Sequence, residues 1–358
     1  MTRPGRPAAT RPPAIRPATI RPATIRPATI RDVARAAGLS IATVSRALNR
    51  PELLNEDTRR IVNEAVARLD YRPSVAAKRL RGNRTDLILV VVPSLSPFFL
   101  DIFAGVEAAA ERAGFSVLVG HTDRNSARER LFVDQVGASR ADGIILVTSV
   151  DLPTLTGMGW LPPTVVALDV DGGGGLPMVR VDHVAGAEDA TNILLNLGHT
   201  RVAHILGPER SGMTRHRLEG YQRALAARGL NVNPDYCVRG DFTVESGVAA
   251  INALLALPSP PTAVFAANDQ MAIGAIRGLR RRGLQVPRDM SIFGFDDERI
   301  AALCDPPLST VRIPTFEIGR TAMEQMLRLL EGAAMEHDLV LPTELVIRDT
   351  AAPAPDRA

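Results

Sequence analysis

From Leu87 onward the chain alternates short apolar runs with amphipathic helical stretches, and this alternation restricts the fold more than any other feature. Leu87–Val92 reads as a buried strand, followed by a helix from Phe98 to Ala113. A strand Phe115–Val119, a helix Ala127–Ser139 and a strand Gly143–Val147 come next. The cycle resumes with helix Ala187–Leu197, strand Val202–Leu206 and helix His216–Arg228, then strands near Ala263–Ala266 and Ser291–Gly294. Apolar strands separated by helical patterns predict a doubly wound α/β body, here run twice as two lobes. Ligand is expected at the strand C-termini, in the cleft between the lobes.

Length and charge place something else before that body. The 358 residues exceed one domain. Residues 1–84 carry 18 Lys+Arg against 6 Asp+Glu, a net of +12. Residues 85–358 carry 24 against 33, a net of −9. A basic front on an acidic body predicts a DNA-binding head on a separate sensor. No apolar run reaches the 18 or so residues that span a bilayer, and the arginine-rich start has no apolar signal core. A cytoplasmic location and no membrane contact are therefore expected. Cys237 and Cys304 lack metal-ligand spacing and the six histidines are scattered, so no metal and no cofactor is expected.

Residues 1–29 repeat the pentad Arg-Pro-Ala-Thr-Ile at 16–20 and 21–25, the last copy running into 26–30. Proline every fifth residue forbids continuous helix, which predicts an extended, disordered, cationic arm.

Residues 30–72 read as an all-α helix-turn-helix head. Thr29 is placed to cap a helix over Arg31–Ala37, with Ile30, Val33, Ala34 and Ala37 inward, and Gly38 supplies the left-handed turn. Ser40 then caps a helix from Ile41 to Asn49. With Val44, Ala47 and Leu48 inward, Ile41, Ala42, Ser45 and Arg46 face out, ready to enter a major groove. Arg46 suits a bidentate pair with guanine, Ile41 or Ala42 a thymine methyl, and Thr43 and Ser45 phosphates. Asn55 caps a third helix, Glu56–Leu69, whose Ile61, Ala65, Val66 and Leu69 are expected to close the core. Residues 73–84 form a short basic segment, too short for a stable isolated helix. Its Leu80 suits an apolar wedge in a minor-groove step, beside Lys78, the chain's sole lysine. The expected DNA contacts are Ser40, Ile41, Ala42, Thr43, Ser45, Arg46, Asn55, Tyr71, Ala77, Lys78 and Leu80, on double-stranded DNA.

In the body, the candidates at strand ends are Phe98, Phe99, Asp151, Arg217, Asn268-Asp269 and Asp296-Asp297, with Arg217 opening a helix. Paired carboxylates serve acid/base catalysis or accept hydrogen bonds from ligand hydroxyls. No nucleophile, metal cluster or phosphate loop accompanies them, so no catalytic residue is assigned. The glycines 172–175 read as a flexible loop.

The run Thr29-Ile30-Arg31-Asp32-Val33-Ala34-Arg35-Ala36-Ala37-Gly38-Leu39-Ser40-Ile41-Ala42-Thr43-Val44-Ser45-Arg46-Ala47-Leu48-Asn49 resembles the head of the lactose/galactose (LacI/GalR) repressor family. Thr58-Arg59 and Tyr71-Arg72-Pro73-Ser74 fit at that family's spacing. Arg217-Leu218-Glu219-Gly220-Tyr221, Ala267 to Ala275 and Gly294-Phe295-Asp296-Asp297 resemble its sensor motifs. The resemblance implies a hinge helix at Ser74–Leu80, with Leu80 intercalating. It implies a periplasmic-binding-protein-like body of residues 85–350, with an N-lobe of about 85–182 plus 315–341 and a C-lobe of about 183–314 plus 342–350. It also implies Arg217, Asn268 and Asp296 as effector ligands, with Phe242 as the stacking aromatic.

Within the family, Gly207–Pro307 is most similar to the cytidine-responsive branch, which suggests a nucleoside or sugar effector. One departure stands out: Pro93-Ser94-Leu95-Ser96-Pro97-Phe98-Phe99 is one residue short of the family's loop and lacks its acid. The tail 351–358 has no heptads, so a homodimer on a palindromic operator is expected. A transport-type binding protein would share the body but leaves Asp32–Leu80 unexplained.

Overall fold

The computed structural model describes residues 28–49, 53–71, 84–138, 140–147, 157, 160–168, 175–209 and 211–355. Expectations for the arm, for the hinge with Ala77, Lys78 and Leu80, for Asp151 and for glycines 172–174 fall outside the described residues. The chain divides into two compact units, residues 1–83 and 84–358.

In the first unit, helices α1 (Ile30–Ala37), α2 (Ile41–Asn49) and α3 (Glu56–Arg68) surround a small core. Asp32 accepts hydrogen bonds from Thr29 N (2.9 Å) and Oγ1 (2.6 Å), satisfying the start of α1, and Gly38 ends it at φ 66°. Val33, Val44 and Val62 are fully buried, one from each helix. Two expectations are corrected here. Ile61 is 37% exposed, and Val62 takes its inward place. Residues 61 and 65 are as well spaced for a stripe as 62 and 65, so the sequence admits both; packing against α1 and α2 selects 62-65-66-69. Tyr71, expected to contact DNA, is 7% exposed and sits in the core cluster, its backbone N–H donating to Val66 O (3.0 Å).

The second unit holds two parallel sheets. The first contains β1 (Leu87–Val92), β2 (Ser116–His121), β3 (Gly143–Val147), β4 (Thr164–Ala167), β5 (Met178–Val181) and β11 (Asp338–Leu341), in the order β11-β5-β4-β3-β1-β2. The second contains β6 (Val202–Leu206), β7 (Cys237–Arg239), β8 (Ala263–Ala266) and β9 (Ser291–Phe293), in the order β7-β6-β8-β9. Both are covered on two faces. In β8, Ala263 and Phe265 join one core cluster while Val264 and Ala266 join another, the period-two division of a strand buried on both sides.

Helices α4 (Pro97–Arg112), α5 (Ser126–Gly137), α6 (His183–Asn196), α7 (Gly212–Ala227), α8 (Val244–Leu255), α9 (Asp269–Arg281), α10 (Arg299–Leu303) and α11 (Thr315–Glu331) connect or cover these strands. Helix α6 begins four residues earlier than its apolar pattern suggests, because Asp182 caps it by accepting from Ala185 N (2.9 Å). The chain passes between the sheets after β5, after the short strand β10 (Thr310–Arg312) and after β11. Strand β10 pairs antiparallel with β12 (Glu344–Val346), Thr310 opposite Val346. Asp297 ties the last two of these crossings together: its carboxylate accepts from Arg312 Nε and from Arg348, both at 2.7 Å. Asp297 therefore does not share the ligand-facing role expected of an Asp296-Asp297 pair.

Candidate functional site

On the head, the outer face of α2 is exposed. Ser40 Oγ accepts from Thr43 N (3.0 Å) and lies 2.8 Å from Thr43 Oγ1, so both hydroxyls serve the cap. Fixing that turn leaves Ile41, 47% exposed, with Ala42 and Arg46, on the outside, and Ser45 half-buried beside them. Val44 holds the opposite face in the core. Asn55 caps α3, accepting from Thr58 N (2.8 Å). An exposed helix N-terminus with an arginine one turn in matches the geometry for base and phosphate contacts.

In the body, a cavity of about 410 Å³ lies where strand C-termini converge. Phe98, Phe99, Arg217, Phe242, Asn268 and Asp296 all line it, from the loops and helix starts that follow β1, β6, β7, β8 and β9. Parallel strands explain the convergence, since every such loop leaves its sheet at the same edge.

Arg217 is the centre of the arrangement. It does not open its helix as expected; it sits in the second turn of α7 and is 1% exposed. The helix starts at Gly212 after Ser211, so the side chain points inward from a turn already formed. Its guanidinium donates to Asp296 Oδ1 (3.0 Å), to the Ala267 carbonyl and to His183 Nδ1 (3.4 Å), and it stacks 3.8 Å over the Phe295 ring. Beside this cation, burial holds the His183 imidazole well below its usual range, so it is neutral and accepts at Nδ1. Burial also pushes the Asp296 carboxyl up to about 7, against the opposing pull of Arg217. Asp269 lies deeper: fully buried, its pKa is raised first by desolvation and then by the charge of Asp296, and it accepts from Thr310 Oγ1 (2.6 Å) and Glu298 N (2.8 Å). It holds β10 and the loop after β9 in place.

Asn268 does two things at once. Its Oδ1 caps α9 by accepting from Met271 N (3.0 Å), while Nδ2 donates to Phe242 O (3.2 Å). Phe242 is held at φ 69°, a conformation a bulky residue seldom adopts. Its ring lies over Gly207, where a Cβ would come within 2.3 Å of it. Asp241 fixes the following turn through Thr243 N (3.0 Å) and Oγ1 (2.6 Å). The result is a strained aromatic platform facing the cavity. Phe98 meets Phe99 edge-to-face at 5.1 Å, and Phe99 is 7% exposed, closer to a core residue than a free ligand contact.

Further lining residues escape a sequence reading, among them Arg124, Gln270 and Glu298. Gln270 Nε2 donates to Glu298 (2.8 Å), and burial raises the Glu298 carboxyl. Gln270 and Glu298 stand one or two positions beyond residues already singled out. Arg124 follows a strand that runs two residues past its expected end. Among the described residues, no group of three or more His, Cys, Asp or Glu could hold a metal ion, and no helix is long and apolar enough to cross a membrane.

Both units have counterparts among known proteins. A model of the bacterial regulatory proteins of the lacI family matches residues 29–74, and a model of the periplasmic binding protein-like domain matches residues 191–351. The HTH-type transcriptional repressor CytR of Escherichia coli (strain K12) is 40% identical over 329 residues, covering 90% of this chain and 96% of the relative. The ribose operon repressor of the same strain is 34% identical over 325 residues, 89% of this chain and 98% of the relative. Among solved structures, the lac repressor dimer bound to operator and the anti-inducer ONPF is similar with a TM-score of 0.84 at 31% identity. It covers 91% of this chain and 100% of that one.

Proposed function

Since the chain belongs to the lacI family of bacterial regulatory proteins and is a DNA-binding transcriptional regulator, we propose that it represses transcription in the cytoplasm as a homodimer on a palindromic operator. A small nucleoside or sugar in the body cavity controls it. The observation that carries this reading is the coexistence, in one chain, of an outward-facing α2 and a cavity where Arg217, Asn268 and Asp296 converge on the Phe242 platform. Asp296 and Asn268 supply acceptors and donors for ligand hydroxyls, Arg217 orients Asp296, and Phe242 offers an apolar face. Because the crossings between the two sheets are few and two of them are tied by Asp297, ligand contacts on both sides of the cavity favour one arrangement of the lobes over another. The test is titration of palindromic duplexes at several salt concentrations, with and without nucleosides and sugars. A steep salt slope and a specificity ratio of about a thousandfold support the reading; equal affinity for unrelated duplexes removes it.

Arg46→Ala is expected to weaken binding by about 1–3 kcal/mol at one base pair per half-site and to relax preference there. Competition with operators mutated at single positions measures this. An unchanged preference profile would take Arg46 out of base contact.

The raised Asp296 carboxyl predicts a pH dependence. With a folded value of about 7 above the ordinary 3.8, the native state holds a proton that the unfolded chain has released at intermediate pH. This group's contribution to stability is therefore present below about pH 4 and is lost as pH rises toward 7. Ligand binding runs the other way. A hydroxyl donates more strongly to the carboxylate than to the neutral acid, so affinity for a neutral polyol should rise, by up to about tenfold, from pH 6 to pH 8 and then level off. Calorimetric titration across that range checks it; a flat profile means that the ligand does not engage Asp296.

A further inference from the structure

The cavity contains a second arginine in the opposite condition to Arg217. Arg124 follows β2 in a turn with two consecutive non-glycine residues in the left-handed region, Asp123 at φ 55° and Arg124 at φ 54°. The turn is held by Asn125, whose side chain caps α5 by accepting from Ala127 N (2.9 Å), and by Arg128, 3.8 Å from Asp123. Such backbone is unfavourable and persists where surrounding contacts enforce it, often at sites of function. Its effect here is to carry Arg124 from the first sheet across the cavity, to 5.6 Å from the centroid of the Phe242 ring beyond the second.

The donors of Arg124 are unspent. Among the described residues its side chain makes no hydrogen bond or ion pair, and its charge is felt only at longer range by Asp241 and Asp123. Arg217, by contrast, is committed to Asp296, Ala267 and His183. A cation–π contact at an exposed position is weak, and a ligand ring has more to gain from the same aromatic face. Displaced from the face, the long side chain still reaches the ring's rim. There its planar fork can donate two parallel hydrogen bonds and can accept none.

We propose that Arg124 is a specificity-determining residue that reads the edge of a planar ring laid on Phe242. The effector then has two parts: a heterocycle bearing hydrogen-bond acceptors at the Phe242 end and a hydroxylated part at the Arg217–Asp296 end. This is the chemistry of a nucleoside and not of a free pentose, which has no aromatic face and no planar ring edge bearing acceptors. The assignment rests on the reading of the cavity as the effector site.

Titration calorimetry of the full chain with adenosine, cytidine, guanosine, uridine and D-ribose tests it. At least one nucleoside should bind about tenfold or more tightly than D-ribose. Arg124→Ala should lower that nucleoside's affinity about tenfold while changing D-ribose affinity less than about twofold. Arg124→Lys, which keeps the charge and loses the fork, should recover only part of the loss. Arg124 is exposed, so both variants are expected to melt with the wild type, and a thermal melt of each checks that they fold. Wild-type binding of D-ribose as tight as any nucleoside overturns the proposal, as does a preference that survives Arg124→Ala or is fully restored by Arg124→Lys. Pentose binding that Asp296→Ala removes keeps the cavity as effector site while overturning the role of Arg124. A chain that binds none of the five overturns both.

Discussion

Arg217→Ala is expected to lower the free energy of unfolding by about 3–5 kcal/mol and to remove effector binding. The size follows from what the substitution strands. Asp296 loses the one cation paired with its carboxylate among the described residues, at 3.0 Å, and the Ala267 carbonyl loses a buried donor. The space above the Phe295 ring, where the guanidinium stacks at 3.8 Å, is emptied as well. Asp296 is already raised to about 7 with Arg217 in place. Without it the carboxyl moves further toward the neutral acid, and the charged acceptor that binds a ligand hydroxyl most strongly is lost at neutral pH. Urea unfolding gives the stability change and calorimetry the binding. Adding Asp296→Asn to Arg217→Met should recover much of the stability, since removing both partners leaves no unpaired buried charge. It should not recover binding. A single variant that unfolds within about 1 kcal/mol of wild type would show that the pair contributes little.

Gly319→Ala is expected to cost about 3 kcal/mol, at the upper end of overpacking. Helices α4 and α11 approach so closely that a Cβ on Gly319 would lie 1.9 Å from Ile102 O and 3.0 Å from Val106 N. The facing Gly105 is equally confined, 2.0 Å from Phe316 O. In both places the obstacle is backbone, so no rotamer change relieves it and the helices must separate. These helices cover the sheet from which the loop after β1 reaches the cavity. Loosening them should weaken ligand binding together with stability. A shift in the urea midpoint at unchanged slope is the expected signature; a midpoint within error of wild type would show that the helices re-dock at no cost.

Much of the architecture was legible because period and composition carry it. The runs Leu87–Val92, Gly143–Val147, Val202–Leu206 and Ala263–Ala266 are apolar enough that burial on both faces is the one economical outcome, and all four are strands. Cys237–Arg239 and Asp338–Leu341 are both short and partly polar, so they show neither an apolar run nor a period and are defined by the neighbours that pair with them. The head was legible down to its caps at Thr29, Ser40 and Asn55, because capping is local chemistry between residues two or three apart. The loops carrying Asn268 and Asp296 were legible for a related reason: polar residues directly after an apolar strand have few places to go.

The sequence by itself determined the two-part plan of this protein, the face that α2 presents and the strand ends where polar side chains gather, since each follows from spacing along the chain. Only the tertiary structure decided which side chains are available there. It buried Tyr71, turned Val62 inward in place of Ile61, committed Arg217 to Asp296 and turned Asp297 to the crossings. It alone brought Arg124 over Phe242, residues 118 positions apart. Hydrophobic period is a property of neighbours in sequence. Burial of a charge and its choice of partner depend on which distant segments the packed sheets bring together, and no local pattern encodes that distance.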